Sequence, residues 1–562
     1  MQKYESTVNG CVLFTRSASL DAYLQPPHSA LVESYPIFGA SSNDLQTRFP
    51  EWVFERIREP NEKFANDFSN GVYTQDRRFV RHVSSLLSDP KSSPFVLLDE
   101  QRRAFDLIMY ELEERFSGAS RPERLVIVVE GPPGSGKSVL AAQLWARLAS
   151  HPEVDGNVVL CTTSGSQRSN WESIFSNVAQ NAAGAGLVVP ANAFNPGLTP
   201  QWVKSTRLLG HEMPVSGWKD NLEVFKKSGK QWRSPDLHFA ATIVDEAHAL
   251  IDPTAPNAEG TPPSGWSVHA GPQAWHIIRS SRVSMFLMDS EQSYRDNETT
   301  TPSSIEQFAN DLGDTQVVKL SLAGAQFRCG GSKEYTDWIE GVLSADGPTM
   351  DSRTWRRSSQ NLEGKFEFEL VSTPRKLEAA LRSRFEQGAS VRLIASYARE
   401  WVTKKEPSPH GLPGDRKDFH FEPPQQDDGD PWSKIWNYAP EQDYTYFVQG
   451  RPGTPIGNDP LCEVGCPYVV RGFDFDFVGL LWLPDLVWRT DHWEVQLEHV
   501  FETAWPRTKA AVKRDMEDSQ AIANLMLRVR RGYRILMTRA IKGVYVWCED
   551  PETRDHLSSL IR

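Results

Sequence analysis

VIVVEGPPGSGKSVLAAQLWARLA, residues 126–149, runs from an apolar strand (Val126–Val129) through a glycine-rich loop into an amphipathic helix. That order is what a phosphate cradle needs. In Gly131-Pro132-Pro133-Gly134-Ser135-Gly136-Lys137-Ser138 the glycines let backbone N–H groups wrap a β-phosphate. Lys137 is placed to reach the β- and γ-oxygens, and the Ser138 hydroxyl to hold Mg²⁺ at a helix N-terminus. The stretch predicts a bound nucleoside triphosphate, with ATP and Mg²⁺ as the expected ligands.

A second strand-borne motif turns binding into chemistry. ATIVDEAHAL, residues 241–250, delivers two adjacent acids at the end of an apolar strand. At the carboxyl edge of a parallel sheet, Asp245 would hold Mg²⁺ through water and Glu246 would orient or deprotonate the attacking water. VSMFLMDSEQ, residues 283–292, ends another strand with Asp289 and Gln292. A polar side chain there can report the γ-phosphate, although the same residues also suit an ordinary turn.

Composition sets bounds. The chain of 562 residues is too long for one core, and its 39% hydrophobic and 24% charged residues suit a soluble globular protein. It has no apolar run long enough to cross a membrane, and MQKYESTVNGCVLF does not read as a secretory signal, so a cytoplasmic location is expected. A net charge of −12 argues against a protein that coats DNA, but not against a local basic channel. Of six scattered cysteines only Cys462 and Cys466 are close, in CEVGC, with no second ligand pair at metal-site spacing; buried thiols are the expectation.

The expected organisation is an N-terminal region (1–90) of unassigned role, a first α/β domain (91–320) and a second (321–562). LLDEQRRAFDLIMY, residues 97–110, predicts an amphipathic helix with Asp99 as its cap. Residues 184–236 read as an insertion, and 252–275 as an exposed Pro/Gly-rich loop. A polar insert at 403–460 reads as a loop or small subdomain, between strands expected near 391–396, 477–483 and 544–548. Residues 1–90 hold no acid/lysine cluster that would suggest a nuclease.

The ordered set Gln101, GPPGSGKS, CTTSGSQ (161–167), DEAH, LMDSEQ, LAGAQFRCGGSKEYTDWIEGVL (322–343), VRGFDFDFVGLLWLPDL (470–486) and YRILMTRAIKGVYVWCED (533–550) resembles a superfamily 1 helicase motor. More narrowly it is similar to the Schlafen group 3-like DNA/RNA helicase domain, over roughly residues 95–555. The resemblance implies an α/β fold of two RecA-like P-loop domains with parallel sheets flanked by helices and ATP between them. It implies that Gln101 reads the adenine edge, Gln292 senses the γ-phosphate and Asp474 contacts the ribose. It also implies that Arg328 and Arg539, from the second domain, complete the site on closure.

One segment departs from the family pattern. GCPYVVRGFDFDF puts Val469 and Arg471 where related motors offer hydrogen-bonding side chains to the nucleic-acid backbone and the cleft. Valine has no donor; Arg471 is expected to compensate by charge. Thr162, Thr163, Ser164 and Gln167 are candidate phosphate contacts, with helix capping by Ser166 or Ser169 as the alternative. Trp401, Trp432, Trp436, Trp482, Trp488 and Trp493 could stack bases, but core and loop packing is the expectation for each, and Trp432 and Trp436, beside the acidic DDGD run, are poor candidates for a phosphate-tracking groove. Two functions follow: an ATP-hydrolysing motor on single-stranded DNA or RNA, or an ATPase switch that signals to an effector protein. The resemblance links either to defence against foreign DNA in bacteria.

Overall fold

The computed structural model describes residues 10–16, 19–25, 29, 32, 35–56, 97, 99–116, 122–178, 188–194, 219, 236–252, 271–296, 298–322, 329, 333–344, 347–357, 366–423, 431–440, 446–471 and 473–561. It falls into two compact units, Met1–Tyr73 and Thr74–Arg562. In the smaller unit, Val12–Leu13 pairs in parallel with Ile37–Phe38, and Phe38 packs against Phe49 and Trp52 of the helix Phe49–Arg56.

The larger unit is built on two mainly parallel sheets. The first takes β1 (Arg124–Glu130), β2 (Asn157–Thr162), β3 (Val188–Pro190), β4 (Phe239–Val244), β5 (Ser281–Met288) and β6 (Thr315–Ser321) in the order β3-β2-β4-β5-β1-β6. Every neighbouring pair is parallel. Parallel strands are covered by helices on both faces, which is why β1, β2, β4 and β5 read as near-continuous apolar runs. The flanking helices include α1 (Asp99–Phe116), α2 (Lys137–Ser150), α3 (Gly165–Val178), α4 (Gln273–Ser280) and α5 (Pro302–Leu312). α1 runs six residues beyond the predicted Tyr110, and Asp99 is its first helical residue rather than its cap.

The second sheet has eight strands: β7 (Arg356–Arg357), β8 (Phe366–Leu370), β9 (Val391–Ala395), β10 (Phe419–Phe421), β11 (Trp432–Trp436), β12 (Glu463–Gly465), β13 (Phe475–Trp482) and β16 (Ala540–Cys548). A separate hairpin pairs β14 (Leu486–Arg489) with β15 (His492–Val495). The order is β10-β11-β12-β9-β13-β16-β8-β7, with only β10 and β11 antiparallel. Helices α6 (Lys333–Leu343), α7 (Pro374–Glu386), α8 (Pro506–Arg514), α9 (Ser519–Met537) and α10 (Pro551–Leu560) complete this half. The expected fold class, parallel sheets flanked by helices in two P-loop-type halves, is what the chain adopts.

One expectation changes. The insert at 403–460 supplies β10 and β11, which extend the sheet, because Phe419, Trp432 and Trp436 bury against it. Trp432, Trp436, Trp482 and Trp493 are core residues, as expected of most of the tryptophans, and Trp488 stacks on His556 at 3.5 Å. Of the 184–236 insertion and the 252–275 loop, the greater part lies outside the described residues.

Candidate active site

The phosphate loop folds as its glycines require. Gly134 and Gly136 take φ of +79° and +76°, and a Cβ on Gly136 would meet Gln101 Nε2 at 1.6 Å. Gln101, buried on α1, donates its amide to the Ser135 carbonyl at 3.1 Å, so it braces the loop directly. Lys137 Nζ donates to the carbonyls of Gly131 and Pro132 at 2.8 and 2.9 Å. Those bonds hold the ammonium inside the arch of the loop.

The acids meet the loop as expected. Ser138 Oγ donates to Asp245 Oδ2 at 2.9 Å, and the Trp171 indole donates to the same oxygen at 3.3 Å. Burial, then the neighbouring Glu246, pushes the Asp245 carboxyl up to about 6. Glu246 sits in the left-handed region at φ +56°, a strained backbone for a non-glycine residue, at a cost of about 1–3 kcal/mol. Its Oε2 lies 3.2 Å from His248 Nε2 but out of hydrogen-bond alignment, and both atoms are buried without a hydrogen-bond partner among the described residues. Burial alone would raise the Glu246 carboxyl; His248 and the cations Lys137, Arg471 and Arg539 outweigh it and hold it low. Burial pushes His248 down to about 4, and its Nδ1 accepts the Asp289 amide at 3.1 Å. The DEAH histidine therefore ties the acid motif to the end of β5, a role its position in the motif did not reveal.

The segment 289–298 after β5 joins the two halves. Asp289 Oδ2 accepts from Gln292 Nε2 at 2.9 Å and from Arg534 Nη1 of α9 at 3.3 Å. Gln292 Oε1 is buried and without a hydrogen-bond partner among the described residues. Arg471 grips Glu298 with both guanidinium ends, at 3.0 and 3.1 Å, and also donates to the Gln292 carbonyl. Arg471 is therefore not available to the nucleic-acid backbone as expected; a buried carboxylate from the other half has claimed it. Tyr294 enters the second half's core, packed on Tyr468 and Trp505 with centroids 5.0 and 4.9 Å apart. Asp296 receives the Arg507 amide and the Thr508 hydroxyl at 2.8 and 2.6 Å. None of these long-range pairs carries a local sequence signal.

Arg539 is fully buried at the end of α9, its Nε donating to the Ile535 carbonyl at 3.0 Å, close enough to Glu246 for its charge to lower that carboxyl. Arg328 lies outside the described residues. Asp474 is exposed immediately before β13.

The Glu298–Arg471 pair makes a stability prediction. Burial would raise Glu298, but Arg471 pulls it down to about 2 from its ordinary 4.5. A depressed carboxyl adds stability above its unfolded pKa and loses it as pH falls through the folded value. Glu298→Gln should therefore destabilise the larger unit by about 3–5 kcal/mol at neutral pH, by stranding a buried guanidinium. The gap from wild type should shrink as pH falls from about 4.5 towards 2. Melting curves of both proteins across that range check it; a pH-independent gap would refute the pairing.

A cavity of about 640 Å³ opens between the halves. Thr163, Ser164 and Gln167 line one side; Tyr397, Trp401, Tyr468 and Val469 line the other. Thr162 is buried and does not line it. Ser164 Oγ accepts the Gln167 amide at 3.3 Å, so the α3 cap is Ser164 and not Ser166 or Ser169. Arg295 lies over the Tyr468 ring at 5.0 Å.

Comparison with known proteins bears on most of the chain. The family model described as Schlafen group 3, DNA/RNA helicase domain, matches residues 124–550. An uncharacterized protein of Saccharomyces cerevisiae, YPL245W, is 22% identical over 328 residues, which make up 56% of this chain and 63% of that protein. The chain thus spans less than two thirds of that relative's length. A structure of the DUF1998 helicase MrfA bound to DNA covers 90% of this chain and 58% of its own, at 10% identity and a TM-score of 0.36. One of Mss116p bound to single-stranded RNA and AMP-PNP covers 85% and 73%, at 11% identity and a TM-score of 0.34.

Proposed function

Since the chain belongs to the Schlafen group 3 DNA/RNA helicase family, we propose that it hydrolyses ATP at the Lys137–Asp245–Glu246 site and acts on single-stranded nucleic acid. The observation that carries the reading is the buried Glu246 carboxyl, held low beside the phosphate loop in a strained backbone, with its Oε2 3.2 Å from His248 Nε2. Lys137 and the loop amides would hold the β- and γ-phosphates, and Glu246 would take the proton of the attacking water. Ser138 and Asp245 form an all-oxygen pair suited to Mg²⁺, which would neutralise charge on the transferring phosphoryl group. Gln292 would sense the γ-phosphate, and Arg539, with Arg328, would complete the site. Gln101 would reach adenine while bracing the loop, and Asp474 would reach the ribose.

The cavity supports the nucleic-acid half of the proposal. Arg471 and Glu298 neutralise one another there, so recognition would rest on aromatic faces and hydroxyls more than on a basic track. Trp401→Ala should weaken single-strand binding by about 1–3 kcal/mol, the worth of one base–aromatic stack. Val469→Thr should strengthen it modestly. ATP turnover should rise with single-stranded DNA or RNA, with binding falling as salt rises. If no nucleic acid changes turnover at low salt and none binds, the motor reading fails.

What would then remain is an ATPase switch acting on an effector protein. It is favoured by the burial of segment 289–298 in the second half, which couples the end of β5 to that half's position. Cytoplasmic defence against foreign DNA is the setting we propose for either reading, on the family resemblance.

A further inference from the structure

The sequence offers Cys462 and Cys466 no second ligand pair at metal-site spacing, but the fold brings other ligand types to Cys462. The turn Pro409–Gly411 in the insert sets His410 against β12, so that a His410 ring nitrogen, Cys462 Sγ and a Glu463 carboxylate oxygen lie within 4.8 Å of one another. His410 Nε2 and Glu463 Oε1 are 3.9 Å apart, too far for a hydrogen bond. Both atoms are buried and have no hydrogen-bond partner among the described residues.

The group is also held in place. Glu463 is fully buried, and its Oε2 accepts the Tyr438 amide at 3.0 Å, which fixes the carboxylate with Oε1 towards His410. The Tyr438 ring meets the imidazole edge-on at 5.2 Å. The nearby buried cation, Arg392, gives its guanidinium to the carbonyls of Val391, Phe447 and Val448 instead of to Glu463. A buried carboxylate oxygen and a buried imidazole nitrogen thus converge with a thiol, and neither is hydrogen-bonded among the described residues. That is costly in an apolar interior unless something positive joins them.

We propose that His410 Nε2, Cys462 Sγ and Glu463 Oε1 bind one zinc-class divalent cation that clasps the insert to the second sheet. One nitrogen, one sulfur and one carboxylate oxygen form a borderline-soft set that suits Zn²⁺ over Mg²⁺ or Ca²⁺, with water as a fourth ligand. In a tetrahedral site the ligand atoms stand about 3.5 Å apart, so atoms within 4.8 Å of one another need to draw in by up to about 1.3 Å. Binding deprotonates Cys462, whose thiol burial pushes up to about 12, and the proton leaves to solvent. The metal links residues 403–423 to β12 independently of the ATP chemistry, so it stands whether or not that reading does.

Co²⁺ is the probe for the full chain, because a thiolate ligand gives it a charge-transfer band that oxygen ligands at Ser138 and Asp245 do not. Wild type should bind one Co²⁺ with tetrahedral d–d bands and the thiolate band, both abolished by Zn²⁺. Cys462→Ser should lose the thiolate band, and Cys466→Ala should keep it. His410→Ala, at a partly exposed position that leaves folding intact, should weaken affinity by at least about tenfold. Chelation should speed proteolysis between residues 403 and 423 in wild type and have no such effect on His410→Ala. No thiolate band in wild type at one equivalent of Co²⁺, or unchanged affinity in both Cys462→Ser and His410→Ala, would overturn the proposal.

Discussion

Glu246→Gln should bind ATP about as well as wild type and turn it over about 10²–10⁴-fold more slowly, the range removed with a general base. The glutamine keeps the size and the strained backbone of Glu246 but can no longer accept a proton. The argument rests on charge: Lys137, Arg471 and Arg539 hold this buried carboxyl ionised against its desolvation. Lys137→Ala is the contrasting case: it should lose binding and turnover together, because the ammonium would hold the phosphates. Nucleotide titration and single-turnover hydrolysis separate the two. Hydrolysis by Glu246→Gln at the wild-type rate would place the base elsewhere.

Arg539→Ala should lower turnover by up to about 10³-fold, the lower part of the range for an arginine that stabilises a transferring phosphoryl group. ATP affinity should move far less. Arg539 is fully buried, so its removal also leaves a void; Arg539→Lys is the cleaner variant, keeping charge but losing the planar fork. Turnover should fall in both, with melting temperature falling mainly in the alanine variant. Combined with Arg328→Ala the losses should not add, because both groups would serve one transition state. Wild-type turnover in Arg539→Lys would leave only a structural role for Arg539.

What was legible in the sequence was local. β1, the phosphate loop and α2 follow from consecutive residues, and Asp245 and Glu246 follow from acids set directly after an apolar strand. What was not legible is long-range. Glu298 and Arg471 lie in no shared motif, and the pairing shows only once β5 and the turn before β13 are side by side. Arg471 was misread because its surroundings in the chain, not its partner across the cleft, were all that could be seen. Thr162 was misread for a related reason: a hydroxyl at a strand end is as readily interior as exposed, and here it is buried. The insert concealed two strands at one end of the sheet because polar, Pro- and Gly-rich flanks outweighed a few alternating aromatics.

Segment 289–298 works as a plug seated in a socket that only the second half provides. Tyr294 is walled by Tyr468 and Trp505, and its carbonyl is met by the indole of Trp505 and the guanidinium of Arg528. The two halves are therefore poor candidates for free exchange among family members, however similar their phosphate loops. A chimera that borrowed the first half alone would carry a plug cut for another socket: an aromatic ring, two buried carboxylates and several carbonyls with no matched surface to receive them. Variation at the plug and at the socket must then proceed in step, although the two are nearly two hundred residues apart in the chain.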